Sequence, residues 1–296
     1  MPPTPRRDLR TARRDAPGSL VRTRHGEVHA VVEGSGPPLV LVHGVTENAL
    51  TFFDLQASLA HAMTVHAIDL PGHGLTDFPA RTLDLGEMAR WVDGYMEAAR
   101  VERAVVVGWS MGGGVALELA IQRPGRVGAL VLLGTIGAAM PLPLSLGLLR
   151  HRGVAEVMMR LSGSPTMRRE LLRDAVHGSF THQDATLDRY WDGWRVLGRA
   201  PYVRRLLRSL DVSPLEARLG QVAAPTILLH GDADRLVPLA VARTIASKLR
   251  AAELRVLRET GHSPHLEEPG AVRAAIRDAV RLSSDAARQP AVGRIR

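Results

Sequence analysis

Cysteine is absent from this chain of 296 residues, which excludes disulfide bonds, thiol nucleophiles and cysteine-based zinc sites. Long hydrophobic runs are also absent, since no apolar stretch reaches the roughly 18 residues that a membrane-spanning helix needs. We therefore expect no membrane span. The sequence carries neither a recognisable signal segment nor an anchor motif, which favours a cytoplasmic protein. Aromatic residues make up only 4% of the chain, so each cluster of them is a candidate for packing or for substrate contact.

Positive charge is abundant, but it is concentrated at the two ends of the chain. The formal net charge is +8, of which residues 1–24 carry +5 and residues 283–296 carry +2, leaving +1 for the segment between them. That segment lacks the face of interleaved basic and aromatic residues that nucleic-acid binding requires, so we expect no nucleic-acid partner. Residues 1–17 are rich in Arg and Pro and poor in apolar residues, which predicts a disordered, solvated basic tail. Residues 283–296 are interpreted as a C-terminal tail.

Short apolar runs alternate with segments of helical periodicity along most of the chain. The runs predict strands at residues 28–32, 39–42, 63–68, 104–107, 127–133, 225–229 and 254–257. The helical segments fall at residues 84–99, 112–121, 239–249 and 271–282. This alternation predicts an α/β fold with a mostly parallel sheet and helices on both faces.

Residues 140–215 interrupt this alternation. They contain no clear strand, are rich in Leu, Met and Arg, and favour several short helices. Both ends of the stretch join predicted core strands, so we interpret it as an insertion rather than a second tandem domain. It divides the core into residues 18–139 and 216–282.

A Gly-X-Ser-X-Gly motif occupies residues 108–112, directly after one predicted strand and before a helix of small residues. In that context a sharp strand-to-helix turn projects the serine, and the flanking glycines allow close backbone approach. The start of the helix supplies free N–H groups and the positive end of its dipole. Ser110 is therefore the candidate nucleophile.

A serine hydroxyl needs a base to react at neutral pH, and a carboxylate to orient that base. Among twelve histidines, His262 is best placed, because it follows the last predicted strand at the edge where α/β sheets gather ligand-facing groups. His265 is its main rival. The acid falls in the loop after strand 225–229, with Asp234 preferred and Asp232 as the alternative. The order nucleophile, acid, base is the one expected with a Gly-X-Ser-X-Gly motif.

A tetrahedral intermediate also needs donors for its oxyanion. The N–H of Met111, the residue after the nucleophile, is one candidate, and the N–H of Val45, in the turn after strand 39–42, is the other. A metal site built on the His262/His265 pair lacks a third ligand at suitable spacing, and no nucleotide fingerprint is present. We therefore expect neither a metal nor a cofactor.

Five motifs occur in a fixed order, at residues 41–44 (LVHG), 69–74 (DLPGHG), 108–113 (GWSMGG), 231–238 (GDADRLVP) and 261–262 (GH). Over residues 25–282 the chain resembles the α/β-hydrolase fold superfamily, in its lid-bearing subgroup of serine esterases, lactonases, carbon–carbon bond hydrolases and haloperoxidase-like enzymes. The resemblance implies an eight-stranded sheet with a helical lid at residues 140–215. It also implies the roles assigned above to the following residues: Ser110, Asp234, His262, Val45 and Met111. Dehalogenases and epoxide hydrolases of the superfamily carry Asp at the nucleophile position, so Ser110 argues against both.

The resemblance implies hydrolysis of a carboxylic ester, lactone or thioester of a small, mainly apolar substrate through an acyl-enzyme. Alternatives are a carbon–carbon bond hydrolase or a perhydrolase or haloperoxidase-like enzyme with the same triad, or a ligand-binding protein with this fold. Phe52, Trp109, Trp191 and Trp194 are candidate substrate contacts, with packing as the competing interpretation. The sequence does not indicate an oligomeric state.

Overall fold

The computed structural model describes residues 8–14, 16–140, 147–148, 150–151, 153–154, 157, 175–178 and 199–288. Most of the insertion predicted at residues 140–215 lies outside these ranges. So do two candidate substrate contacts, Trp191 and Trp194.

Eight strands in the described ranges form one sheet. They are β1 (Ser19–Thr23), β2 (Gly26–Glu33), β3 (Pro38–Val42), β4 (Thr64–Ile68), β5 (Ala104–Trp109), β6 (Val127–Leu133), β7 (Thr226–Gly231) and β8 (Ala252–Leu257). The α-helices whose bounds are described are α1 (Leu9–Arg14), α2 (Phe53–Leu59), α3 (Leu85–Ala98), α4 (Met111–Gln122), α5 (Arg199–Ser209), α6 (Ser213–Glu216), α7 (Leu239–Lys248), α8 (Pro264–Glu267) and α9 (Pro269–Arg288).

The strand order across the sheet is β1-β2-β4-β3-β5-β6-β7-β8. The β1–β2 and β2–β4 pairs are antiparallel, and all pairs from β4–β3 onward are parallel. The mostly parallel, eight-stranded sheet is thereby confirmed. Strand β1 was not predicted from the sequence, because its five residues are largely exposed and form no apolar run. The carboxyl ends of β3, β5, β7 and β8 meet at one edge of the sheet, where parallel α/β proteins build their sites.

Helices cover both faces of the sheet. In the central strand β5 every residue is buried, and alternate side chains point to opposite faces. Val106 packs in one cluster with Tyr95 of α3 and Leu117 of α4. Val107 packs in the other cluster with Ile276 of α9. Burial on both faces explains why this strand reads as a continuous run of valines rather than as an alternating pattern.

The N-terminal segment departs from the disorder predicted for residues 1–17, because residues 9–14 form helix α1. The Nε atom of Arg13 donates to the Leu75 carbonyl at 2.8 Å. Its other guanidinium nitrogens pair with Glu27 at 3.0 Å and with Asp77 at 2.8 Å. Composition alone predicted disorder because it does not register these partners, which lie 14 to 64 residues away in the sequence. At the other end, α9 continues past residue 282 to Arg288.

Candidate active site

Ser110 occupies a strained turn between β5 and α4. Its backbone angles are φ 55° and ψ −118°, a conformation that costs a non-glycine residue about 1–3 kcal/mol. The surrounding glycines make this turn sterically possible. A Cβ at Gly112 would lie 2.1 Å from the carbonyl oxygen of Val42, and one at Gly108 would lie 2.5 Å from the Gly112 carbonyl. The turn thus presses directly against the end of β3.

The turn after β3 carries the second candidate oxyanion donor. Gly44 lies so close to Ser110 that a Cβ on it would be 3.1 Å from the Ser110 Cβ. His43 braces this turn: its Nδ1 donates to the Gly44 carbonyl at 2.7 Å, and its Nε2 accepts the Leu70 N–H at 2.9 Å.

The N–H groups of Val45 and Met111 remain available for a ligand. Among the residues that the structure describes, neither has a hydrogen-bond acceptor. Both residues line the same cavity as Ser110. Two N–H groups without an acceptor, in the same cavity as a serine side chain, can bind an oxyanion.

His262 lies in the loop between β8 and α8. Its Nδ1 is 2.8 Å from Oδ2 of Asp234. A carboxylate only accepts hydrogen bonds, so Nδ1 carries a proton, and in the neutral form of the ring Nε2 carries a lone pair. The backbone carbonyl of His262 accepts the indole N–H of Trp109 at 2.7 Å. Ring and backbone are therefore both fixed.

Asp234 stays ionised although its side chain is fully buried. Burial disfavours the charged form. The charge interaction and hydrogen bond with His262 outweigh that effect and lower the pKa of the carboxyl below its usual value. Its Oδ1 also accepts the N–H groups of Leu236 and Val237 at 2.9 and 2.8 Å. The alternative acid, Asp232, is exposed to solvent and makes none of these contacts to His262.

One cavity of about 240 Å³ joins these groups. Ser110 and His262 both line it, together with Val45 and Met111, while Asp234 contacts His262 from behind. Most of the remaining described lining is apolar, including Ile136, Met140, Leu207, Leu210, Leu236 and Val237, and polar groups come from Arg150, Asp211 and Ser213. Within the described residues, no cluster of three or more His, Asp or Glu side chains is arranged to hold a metal ion.

A sequence model of the alpha/beta hydrolase family matches residues 39–275. The chain belongs to this family. A pimeloyl-acyl-carrier-protein methyl ester esterase from Aromatoleum aromaticum is 32% identical to it, over 83% of this chain and 98% of that protein. A 2-hydroxymuconate semialdehyde hydrolase from Pseudomonas sp. strain CF600 is 29% identical, over 79% and 83%.

Among solved structures, 2-hydroxy-6-oxo-6-phenylhexa-2,4-dienoate hydrolase from Rhodococcus sp. strain RHA1 matches with a TM-score of 0.74 and 26% identity. The match covers 89% of this chain and 99% of that one. These named relatives and structural neighbours are enzymes, and the present chain is likewise an alpha/beta hydrolase. None of the described helices of this hydrolase is both long and apolar enough to cross a bilayer.

Two of the aromatic residues predicted as substrate contacts lie in the protein core instead. In this alpha/beta hydrolase, Phe52 is fully buried and packs on the ring of His265, 5.1 Å between centroids. Trp109 is 3% exposed and lies 4.5 Å from the same ring. Neither belongs to the described lining of the cavity. Both side chains pack on the ring of His265, which supports packing as their role. His265 is buried behind Trp109, whereas His262 faces the cavity.

Two residues that support this hydrolase's site were missed by sequence reasoning. His230, at the end of β7, donates from Nε2 to the Val237 carbonyl at 2.7 Å and lies 3.4 Å from Asp234. Glu267, at the end of α8, accepts the N–H groups of Gly261 and Ser263, on either side of His262. His230 directly precedes Gly231 and Asp232, the start of a motif already identified in the sequence, so its position next to the candidate acid could have been predicted. Glu267 follows His262 at no distinctive spacing, so only the folded loop reveals it.

Proposed function

We propose that the protein is a serine hydrolase that cleaves a carboxylic ester, lactone or thioester through an acyl-enzyme. One observation carries the proposal. Ser110, His262 and the free N–H groups of Val45 and Met111 line one cavity, while Asp234 holds the His262 ring from outside it. This set contains a nucleophile, a base, an orienting acid and two oxyanion donors, as acyl transfer requires.

In the acylation step, Ser110 Oγ attacks the substrate carbonyl carbon, and His262 Nε2 takes the hydroxyl proton. The carbonyl oxygen becomes an oxyanion that the Val45 and Met111 N–H groups stabilise. The buried Asp234 carboxylate stabilises the imidazolium and keeps its Nδ1 protonated. Collapse of the intermediate breaks the bond to the leaving alcohol, which receives the proton from His262.

In the deacylation step, water takes the place of the alcohol. His262 removes a proton from the water as its oxygen attacks the acyl carbonyl, and the same two N–H groups hold the second oxyanion. The bond to Ser110 Oγ then breaks, and Ser110 regains its proton from His262. The net reaction adds one water molecule across the ester bond.

The cavity lining supports a small, mainly apolar acyl or alcohol group. Leu207 and Leu210 of α5 and the adjoining turn contribute to it, as does Met140. These residues belong to the stretch 140–215, which supports our proposal that the insertion is a lid over the cavity. The mainly apolar lining also favours an uncharged substrate over a polyanion.

The decisive test is Ser110→Ala, assayed with a panel of aryl esters of increasing acyl length and with a serine-reactive phosphonate. We expect kcat/KM to fall about 10⁴-fold or more and labelling to disappear. Wild-type turnover in this variant would overturn the nucleophile assignment.

His262→Ala should abolish activity, whereas His265→Ala, measured per folded molecule, should retain it. Asp234→Asn should cost about 10⁴-fold and Asp232→Asn very little.

A carbon–carbon bond hydrolase is the second candidate, because two of the similar proteins are named as hydrolases of 2-hydroxymuconate semialdehyde and of a phenylhexadienoate. The same serine, histidine and aspartate serve either reaction. Steady-state assays of ring-cleavage diketones beside the ester panel discriminate between the two. A kcat/KM for a diketone above that for every ester would favour the second candidate.

A further inference from the structure

Glu267 collects three backbone N–H groups on one carboxylate. Its Oε2 accepts from Gly261 at 2.8 Å and from His177 at 2.7 Å, and its Oε1 accepts from Ser263 at 3.1 Å. Two of these donors flank His262 directly. The third comes from residues 175–178, a described part of the stretch that we propose as the lid. Hydrogen bonds to an ionised acceptor are stronger than neutral ones, so this carboxylate is a strong tie between two chain segments.

The same two segments also touch through their backbones. A Cβ added to Gly261 would lie 2.6 Å from the carbonyl carbon of Val176 and 2.7 Å from the His177 nitrogen. Val176 is itself buried, at 8% exposure. The segment 175–178 therefore rests directly on the loop that carries His262, and glycine is the residue that permits this approach.

His262 is consequently held from three directions. Asp234 fixes its ring, the Trp109 indole fixes its carbonyl, and Glu267 fixes the peptide N–H groups before and after it. Only the Glu267 contact also includes the proposed lid. A movement of residues 175–178 away from the core breaks the His177 hydrogen bond and uncovers Gly261, so it loosens one of the three constraints on the base.

We propose that Glu267 is a positioning residue that couples the seating of lid residues 175–178 to the position of His262. The proposal rests on the function proposed above, in which His262 is the base. With the segment seated, the carboxylate holds both peptides that flank His262, and the ring stays in the cavity that Ser110 also lines. With the segment displaced, the loop relaxes and proton transfer slows, because small errors in the position of a base lower the rate steeply.

The test compares Glu267→Ala, Glu267→Gln and the matched control Glu268→Ala, in which the neighbouring exposed carboxylate is removed. For Glu267→Ala we expect kcat for an aryl ester to fall about tenfold to a hundredfold per folded molecule. Phosphonate labelling of Ser110 should slow by a similar factor, since it needs the same proton transfer. Glu267→Gln keeps one acceptor oxygen, so its kcat and labelling rate should lie between those of the wild type and of Glu267→Ala. Glu268→Ala should match the wild type.

Gly261→Ala provides an independent variant, because it displaces residues 175–178 while leaving the Glu267 carboxylate intact. We expect it to lower kcat and the labelling rate in the same way. A proton NMR spectrum supplies a readout that a purely structural role would not change. The low-field signal of the His262 Nδ1 proton bonded to Asp234 should shift or broaden in Glu267→Ala and in Gly261→Ala, and stay unchanged in Glu268→Ala.

The inference is overturned if Glu267→Ala, measured as folded protein, equals Glu268→Ala in kcat, labelling rate and NMR signal. A loss of melting temperature alone, without these changes, also overturns it. Failure of the underlying function is a different outcome, in which Ser110→Ala keeps its activity or the phosphonate labels another residue. The two results are therefore separable in one set of variants.

Discussion

Nδ1 of His29 lies 2.8 Å from Oδ2 of Asp69, and both side chains are buried. The other ring nitrogen of His29 faces the Pro17 carbonyl at 2.8 Å. Because both nitrogens face acceptors, the ring carries two protons and a positive charge. Oδ1 of Asp69 accepts the Ala49 N–H at 2.6 Å, in the turn that follows Val45. A buried ion pair thus connects the N-terminal segment and the loop after β4 to the segment that follows Val45.

Asp69→Asn should be strongly destabilising. The substitution leaves the charged His29 buried without its counterion and turns one acceptor of Asp69 into a donor facing backbone N–H groups. Breaking a buried pair in this way costs about 3–5 kcal/mol of unfolding free energy, measured by urea denaturation. The exposed Asp285 provides a matched control, since Asp285→Asn should stay within about 0.5 kcal/mol of the wild type. Equal stability of the two variants would contradict the ion pair.

The same pair predicts a pH window for stability. Burial disfavours the charged ring of His29, but the charge of Asp69 and the hydrogen bonds raise its pKa above the ordinary 6.5. Burial likewise opposes ionisation of Asp69, yet the charge of His29 and the hydrogen bonds to Asp69 lower its pKa below 3.8. The His29 contribution is therefore complete below pH 6.5 and is lost as the pH rises through its raised pKa. The Asp69 contribution is present above pH 3.8 and is lost on acidification.

Unfolding free energies of the wild type and of His29→Gln, measured from about pH 5 to about pH 9, check this window. The advantage of the wild type should be largest at the acidic end of that range and should shrink toward the alkaline end. An advantage that grows with pH would show that His29 is neutral in the folded protein.

Trp109→Phe should weaken catalysis without disturbing the cavity lining. It removes the indole N–H that holds the His262 carbonyl and keeps an aromatic ring against His265. We expect a loss of about 1 kcal/mol of stability and a fall of about fivefold in kcat/KM. Trp91→Phe, on α3, is the control for the change of side chain. If the two variants have the same kcat/KM, Trp109 does not act through His262.

Gly112→Ala should prevent the nucleophile turn from forming. The added Cβ would meet two backbone oxygens, those of Val42 at 2.1 Å and of His43 at 2.5 Å, which have no freedom to move aside. We expect a loss of about 3 kcal/mol or more, read as a lower melting temperature or as insoluble protein. Gly125→Ala meets no atom within 4 Å and should be neutral. A soluble Gly112→Ala variant as stable as Gly125→Ala would refute the close contact.

Much of the architecture was predictable because it is written in local patterns. Residues 104–107 and 127–133 are continuous apolar runs, and both became fully buried strands. The Gly-X-Ser-X-Gly motif at 108–112 fixed Ser110 at a strand-to-helix turn, since its glycines are required by contacts within that turn. By contrast, α1 and β1 escaped prediction, because their stability comes from distant partners such as Asp77 and from pairing with β2.

The sequence by itself determined the fold class, the candidate nucleophile and the chain order of the groups that face it, because short-range periodicity and motif spacing encode all three. Only the tertiary structure shows that Asp234, and not Asp232, lies within hydrogen-bond distance of His262, and that His262 rather than His265 lines the cavity. It also moved Phe52 and Trp109 from the cavity into the core, and it revealed the Glu267 contacts. Each of these outcomes depends on loops from separate strands meeting at one sheet edge. Such meetings follow from long-range packing and leave no periodic trace in the sequence.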